Sequence, residues 1–451
     1  MGLGLHGGGV GTVRFLASEG ATVTVTDLRT PKELEPALRK LSRLKGITYV
    51  LGRHRVNDFK RHELIVKNPG VRHDSKYLAI AEQHSIPITT DIAIFLERSR
   101  ARIIGVTGTR GKSTTVSLIA AFLKKRYRSV IVAGNIRTSI LSVLPRVKPS
   151  SWVILELSSF QLADLQYEMA HSKSILSGKP DIAVITNLMR DHLNWHRSRN
   201  DYERAKANIF RYQTKDNDLF INPSDSRLRA LVKNARSTVQ RPTLQRALRP
   251  IVDQNLGRHY RASVGLAIGV ARRLGVSTNS IERVLRRFRG LTGRQELVRT
   301  IQGVRFVNDT TATTPDATIA AVKHQTALLH HKKRLILIAG GADKKLDFRE
   351  MARVIKAYVK TTILLPGSAT PKILRLIHRK AELGSILLAP TMPHAVRAAW
   401  SSAVSGDIVL LSPGATSFGL FLNEFDRGTQ FARIVQSLLT TPAKRSHPLP
   451  C

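Results

Sequence analysis

The stretch Gly105–Thr115, "GVTGTRGKSTT", constrains this chain more than any other. It follows the apolar pair Ile103-Ile104 and precedes an apolar helical pattern from Val116 to Leu123. A strand that feeds a glycine-rich turn and then a helix is a phosphate site. The glycines let backbone N–H groups approach phosphate oxygens, and the helix presents its positive end. Lys112 adds a point charge for the outer phosphates, and the hydroxyl of Ser113 or Thr114 can ligand Mg²⁺. An ordinary turn would not need Lys-Ser-Thr in this register. The loop Gly108, Thr109, Arg110, Gly111, Lys112, Ser113, Thr114 is therefore expected to hold a nucleotide. By itself it leaves kinase, ATPase and ligase open.

Strands and helices alternate on both sides of that loop, which predicts an α/β chain with largely parallel sheets. The chain opens on Gly2-x-Gly4-x-x-Gly7, with a helical stretch to Glu19 and a strand ending at Asp27, the arrangement of a dinucleotide fold. Such a loop should follow a buried first strand, yet the sequence starts on the loop itself. A missing central strand, from a late start codon or a truncation, and a lower stability are the expectations. A second block opens at Arg102, with strands at Trp152–Glu156 and near Asp181–Thr186 and a helix from Asp201 to Phe210. The polar stretch from Thr214 to Gly257 gives weaker signals. "RGLTGRQE", residues 289–296, reads as a hinge into a third block with strands near Val304, Arg334, Thr362 and Asp407. The expected division is 1–90, 91–290 and 291–451.

Lys and Arg number 72 against 32 Asp and Glu, a formal net charge of +40. Such a balance attracts polyanions. The basic residues are spread over the whole length, however, with no basic tail and no aromatic-basic stripe, so no specific nucleic-acid partner is expected. No apolar run reaches the roughly 18 residues of a spanning helix. The only cysteine is Cys451, so an internal disulfide is excluded. Together these point to a cytoplasmic protein without membrane insertion.

Further candidates sit at strand ends, where open α/β sheets bind ligands. Glu156 closes an apolar strand in "VILELSSFQL" and could hold Mg²⁺ beside the phosphates; alone, it is equally a solvated strand-end charge. Asp191 and His192 follow another strand, and a single His in that place is more often structural. Lys206 in "YERAKANIF" would never be singled out by composition. "FVNDTTATTPDAT", "AGGADKKLDF" and "LLSPGATSFGLFLNEFDRG" each follow a strand of the third block. Any one could be a plain turn; three in one block favour a site.

Taken in order, "GLGLHGGG", "KNPGV", "GVTGTRGKSTT", "GNI", "ELSSFQL", "DHLNWH", "AKANIF", "GLTGRQE", "AGGADKKLDF" and "LSPGATSF…NEFDRG" resemble the Mur ligase family, from residue 1 to about Phe431. "ELSSFQL", "SPG…SF" and the Rossmann-like opening point to its D-glutamate-adding branch. The resemblance implies three domains: a Rossmann-like N-terminal domain for UDP, a central P-loop ATPase-type parallel sheet for ATP, and a C-terminal Rossmann-like domain for the amino acid. The implied activity is ATP-dependent amide ligation of D-glutamate to UDP-N-acetylmuramoyl-L-alanine through an acyl phosphate, by a monomer. A carboxylate becomes a useful electrophile only once its oxygen is a good leaving group, and cations must offset the charges that meet.

By the same resemblance, Asp27, Arg29, Asn68 and Gly70 would contact the uridine nucleotide. Glu156 would ligand one Mg²⁺; His192 and a carbamylated Lys206 would serve a second. Asn135, Ser158 and Gln161 would position the muramoyl-alanine part. Arg294 and Asp309 would contact ATP, and Thr313, Lys344, Ser417 and Phe425 would surround glutamate. Four places depart from the family pattern. Arg110 stands where Asn is usual, and Leu28 falls within the nucleotide-end motif. His259-Tyr260 with Ser263 lacks both expected Asn side chains. Thr311 replaces a lysine beside the amino-acid site. Losing that anion-binding charge leaves L-glutamate or another amino acid, or a degenerate UDP-sugar binder, as alternatives. A nicotinamide oxidoreductase would explain only the opening glycines, and a nucleic-acid binder only the charge.

Overall fold

Near-continuous apolar runs form strands buried on both faces, as parallel sheets require. In the computed structural model the described residues are 1–438, apart from His6, 136–137, 172–178, 193–194, Arg289, 330–332, Lys345, 379–384 and Phe418. The chain packs as two compact units, residues 1–252 with 260–287, and residues 253–259 with 288–451.

The first unit begins with two small parallel sheets. One pairs β1 (Val23–Asp27) with β2 (Ile47–Leu51); the other pairs β3 (Ile65–Lys67) with β4 (Ile88–Thr90). The place expected for a central strand between them is taken by Met1–Leu3. The Gly2 amide donates to Thr26 O at 2.7 Å on one side. On the other, the Met1 amine donates to Val66 O at 2.8 Å, and the Asn68 amide donates to Met1 O at 2.9 Å. Leu3 is buried with Val10, Val13, Val23 and Val25.

The central sheet of the same unit has six parallel strands: β5 (Arg102–Thr107), β6 (Val130–Gly134), β7 (Trp152–Glu156), β8 (Ile182–Ile185), β9 (Asp218–Ile221) and β10 (Thr238–Gln240). Their order is β10-β9-β8-β5-β7-β6, so the winding reverses at β5. Val106 of β5 pairs with Glu156 on one side and Val184 on the other. That reversal opens a crevice beyond the carboxyl ends of β5, β7 and β8. Strands β9 and β10 lie in the stretch whose sequence signals are weak. Strand β10 is a short edge strand that buries little, so its pattern falls below what periodicity detects.

The second unit carries β11 (Glu296–Ile301), β12 (Val304–Asn308), β13 (Leu335–Gly340), β14 (Val359–Leu365), β15 (Ser385–Leu388) and β16 (Ile408–Leu411), in the order β11-β12-β16-β13-β14-β15. Its two faces are covered by separate apolar layers, one around Leu337 and Ile355 and the other around Phe306 and Ile338. The sheet is mixed rather than wholly parallel, because β11 runs antiparallel to β12. The segment read as a hinge follows the boundary between the two units at Arg287; it contains a tight turn, with Leu291 bridged to Arg294, and leads into β11 at Glu296. Among the described residues, no helix is long and apolar enough to cross a membrane.

Candidate active site

The phosphate loop is shaped by two glycines at positive φ, where a side chain would be strained and crowded. Gly108 has φ +140°, and a Cβ there would lie 1.9 Å from Thr186 Oγ1. Gly111, at φ +79°, begins the helix Lys112–Leu123, and a Cβ there would lie 2.3 Å from Ser263 Oγ. Residues just past β8 hold the loop from outside. The Thr109 amide donates to Asn187 O at 3.0 Å, the Arg110 amide donates to Asn187 Oδ1 at 3.0 Å, and Asn187 Nδ2 returns a bond to Arg110 O at 3.1 Å. The loop is thus held through the backbone of Thr109 and Arg110.

Two lysines converge on one oxygen. Lys112 Nζ donates to Gly108 O at 3.0 Å and to Thr109 O at 3.1 Å. Lys206 Nζ donates to the same Gly108 O at 2.9 Å and stands 4.7 Å from the centre of the Tyr202 ring. Lys206 comes from the helix Arg199–Ala207 and is 2% exposed. Burial holds its amine well below the usual lysine range; Lys112 pushes the same way, while Asp191 and Glu156 oppose. Tyr202, four residues earlier on the helix, shares a 2.9 Å hydrogen bond with Thr109 Oγ1, and burial pushes its phenol up.

Glu156 ends β7 and is 2% exposed. Its Oε1 accepts from Asn135 Nδ2 at 3.4 Å, and the Asn135 amide donates to Glu156 O at 2.9 Å. Among the described residues, Glu156 Oε2 is buried with no hydrogen-bond partner. A buried carboxylate oxygen of this kind demands a cation. With the hydroxyls of Ser113 and Thr114 at the adjoining helix start, the donor set is the hard oxygen type that suits Mg²⁺. His192 lies beside Asp191, Nε2 to Oδ2 at 3.5 Å, and packs edge-on against Phe160 at 4.9 Å. Among the described residues, no three His, Cys, Asp or Glu side chains cluster as a ready-made metal site. Ser158 and Gln161 close a reciprocal cap at the start of the helix Ser159–His171, since Ser158 N donates to Gln161 Oε1 at 3.1 Å and Gln161 N donates to Ser158 Oγ at 3.2 Å.

The expected uridine residues come together at the N-terminal layer. Asp27 is buried at the end of β1; its Oδ2 accepts from the Gly4 amide at 3.0 Å and its Oδ1 from the Arg29 amide at 2.9 Å. Asn68 Oδ1 accepts from the Gly70 amide at 3.0 Å, and the Asn68 side chain packs against Gly2 and Gly4. Leu28, the departure in this motif, is an exposed side chain between Asp27 and Arg29.

In the second unit, the loops after β12, β13 and β16 meet at the carboxyl ends of three adjacent parallel strands. Ala342 is bridged to Thr416, and the Gly414 amide donates to Ala312 O at 2.8 Å. These contacts put the segments carrying Thr313, Lys344 and Ser417 side by side. Phe425 lies in the first turn of the helix Glu424–Ser437, and its amide donates to Asn423 Oδ1 at 3.0 Å. Asp309 is buried, accepting from Ser412 Oγ at 2.9 Å and from the Gln295 amide at 3.2 Å. Burial raises it to about 7, against the bond from Ser412 and the nearby charge of Arg294. Thr311 Oγ1 donates to Gly293 O at 3.0 Å, so this hydroxyl is spent on the turn before β11.

Asn187 and Tyr202 escaped the sequence reading. Both carried a signal: Asn187 follows β8, and Tyr202 precedes Lys206 by four, the spacing that puts two side chains on one helix face.

The chain matches three family profiles: the Mur ligase MurD-like N-terminal domain over residues 1–90, the Mur ligase middle domain over 106–253, and the Mur ligase glutamate ligase domain over 293–414. It is 40% identical to the UDP-N-acetylmuramoylalanine–D-glutamate ligase of Roseiflexus sp. (strain RS-1), over 97% of each chain. The ligase of the same name from Borreliella afzelii is 37% identical over 97% of each. The solved UDP-N-acetylmuramate–alanine ligase of Thermotoga maritima has a TM-score of 0.61 at 19% identity, covering 97% of this chain and 98% of that one, which is a likeness of fold. With near full-length identity of this order and all three domain profiles in sequence, the chain belongs to the Mur ligase family.

Proposed function

We propose that this chain is an ATP-dependent ligase that joins D-glutamate to the alanyl carboxylate of UDP-N-acetylmuramoyl-L-alanine, a step in making peptidoglycan precursors. The observation that carries this reading is the convergence of Lys112 and Lys206 on Gly108 O of the glycine loop at the sheet's switch point, with the buried Glu156 ending the adjacent strand. Full-length identity to ligases of that name supports the choice of substrates. The division into 1–90 for UDP, 91–290 for ATP and 291–451 for the amino acid, a cytoplasmic location and a monomeric state belong to the same proposal.

The loop from Gly108 to Thr114, braced by Asn187, holds the phosphates of ATP together with Lys112. Glu156, with Ser113 or Thr114, holds one Mg²⁺, and His192 with Lys206 the other. When bound, Mg²⁺ supplies positive charge to the phosphoryl oxygens as a carboxylate attacks. Lys206, whose burial favours the neutral amine, is suited to take up CO₂ as a carbamate, which turns a cation into an anionic ligand. Asn135, Ser158 and Gln161 orient the muramoyl-alanine end; Asp27, Arg29, Asn68 and Gly70 hold the nucleotide end. By the resemblance, Arg294 and Asp309 would address ATP, and Thr313, Lys344, Ser417 and Phe425 would enclose glutamate.

Phosphate release from purified protein, with ATP, Mg²⁺, UDP-N-acetylmuramoyl-L-alanine and D-glutamate present and each omitted in turn, tests the reading. Dependence on every component is the expected result. Release without the muramoyl substrate would point to another phosphate-loop enzyme, and no release at all to a degenerate binder. Because Thr311 stands where a lysine is expected, L-glutamate belongs in the same assay; turnover with that enantiomer alone would reverse the stereochemical assignment.

A further inference from the structure

A buried charge cluster in the first unit lies outside every residue set assigned above. Lys67 ends β3 and is 2% exposed; its Nζ donates to Asp164 Oδ1 at 2.7 Å. Asp164 is 1% exposed and belongs to the helix Ser159–His171. His73 Nε2 lies 2.9 Å from the same Asp164 Oδ1. One carboxylate oxygen thus meets a side chain from each end of the segment Lys67–His73.

Between those two anchors lies a tight turn. The Gly70 amide donates to Asn68 Oδ1 at 3.0 Å, and the Val71 amide donates to Asn68 O at 2.9 Å. This is the turn placed at the nucleotide end of the substrate. On the other side of the cluster, Asp164 follows Gln161 by three residues, so the two share a helix face. Gln161 and Ser158 are placed at the muramoyl end, and their mutual cap fixes the start of that helix. Asp164 therefore stands between the two ends of one long substrate, bonded to the segment that holds the first and part of the helix that holds the second. A buried ion pair gives direction and distance more reliably than it gives stability, because desolvation cancels much of its attraction.

We propose that Asp164 is a positioning residue that, through Lys67 and with His73 beside it, ties the Lys67–His73 turn to the helix beginning at Ser159, and so sets the spacing between the nucleotide and acyl ends of the sugar-nucleotide site. The functional half of this inference rests on the ligase reading above; the mechanical half does not.

Two measurements test it. Hydrogen exchange on the full chain without substrate reads the link itself. Lys67→Met is expected to speed exchange at the amides of residues 158–165, and Asp164→Asn at those of 68–71. Exchange that rises only in the mutated segment would overturn the proposal whatever the enzyme's substrate is. In the phosphate-release assay, both variants are expected to raise KM for UDP-N-acetylmuramoyl-L-alanine about tenfold or more, with kcat and KM for ATP within about threefold. These factors are the size expected when two correctly formed half-sites are held at the wrong spacing. The double variant Lys67→Met with Asp164→Leu fills the space with apolar groups and is expected to recover the melting temperature but not the KM. Recovery of both would make the cluster a mere packing element and refute the positioning role. If the wild-type protein releases no phosphate, the ligase reading fails, while the exchange result still decides the link.

Discussion

At the level of single residues, the site depends on groups held in states that water would not permit. Gly108 is the clearest case: its φ and the 1.9 Å approach to Thr186 Oγ1 would leave any Cβ strained and crowded. Gly108→Ala is expected to cost roughly 2 kcal/mol or more in stability and to abolish nucleotide binding, read by thermal melts with and without ATP. Lys206 is the opposite case, a buried amine whose burial opposes folding at neutral pH. Lys206→Met should leave the melting temperature within a few degrees, because relief of desolvation offsets the bond lost to Gly108 O, while turnover disappears. A large fall in melting temperature would show the lysine to be structural. Asp309 adds a pH dependence with a definite sign. Its folded value, about 7, is raised above the usual carboxylate range, so the folded state favours the proton. That stabilisation is fully present below about pH 4 and is lost as pH rises through about 7. The wild-type melting temperature should therefore fall more between pH 4 and pH 8 than that of Asp309→Asn; parallel profiles would contradict the assignment.

At the level of elements, loops carry the chemistry and side chains from neighbouring elements fix the loops. Arg427, on the helix Glu424–Ser437, is fully buried and bonds to Thr310 Oγ1 at 3.1 Å, Thr310 O at 2.8 Å and Ala415 O at 3.2 Å. Burial lowers it to about 10, with Glu424 opposing. One guanidinium thus ties the loop after β12 to the loop after β16. Arg427→Met should cost about 2–4 kcal/mol, because it strands buried carbonyl oxygens. It should also raise KM for the amino acid, read in the phosphate-release assay. How much of such an arrangement is legible in sequence depends on periodicity. The Lys112 loop is readable because strand, glycines and helix adjoin in the chain. Strands β10 and β15 are not, being short edge strands whose side chains are at least partly exposed, so that too few apolar positions mark them. The turn before β11 reads as a hinge in sequence because Gly290 and Gly293 mark a reversal but do not specify the antiparallel strand beyond it.

On the scale of the whole molecule, the formal charge of +40 is an energetic burden spread over the surface. Self-repulsion of that size opposes compaction and is screened within a Debye length of roughly 8–10 Å at physiological salt. The melting temperature should accordingly rise by several degrees between about 0.02 M and about 0.3 M NaCl. DNA retention should fall steeply over the same range without sequence preference. A melting temperature indifferent to salt would mean that self-repulsion contributes little to stability, since the 32 acidic residues cannot neutralise 72 basic ones.

The α/β class, the phosphate loop and the strand ends at which Glu156, Asp191 and Asp309 stand are all legible in the unfolded chain, because they arise from local patterns of turn, strand and helix. Resemblance adds the roles, including that of Lys206, which no local pattern marks. Folding alone establishes that Lys206 is buried against Gly108, that Glu156 Oε2 lacks a partner among the described residues, that Asn187 brackets the loop, and that Asp164 meets both Lys67 and His73. Each of these depends on residues far apart in the chain. The protonation state of a side chain, and the work it can do, are set by the neighbours that folding brings to it.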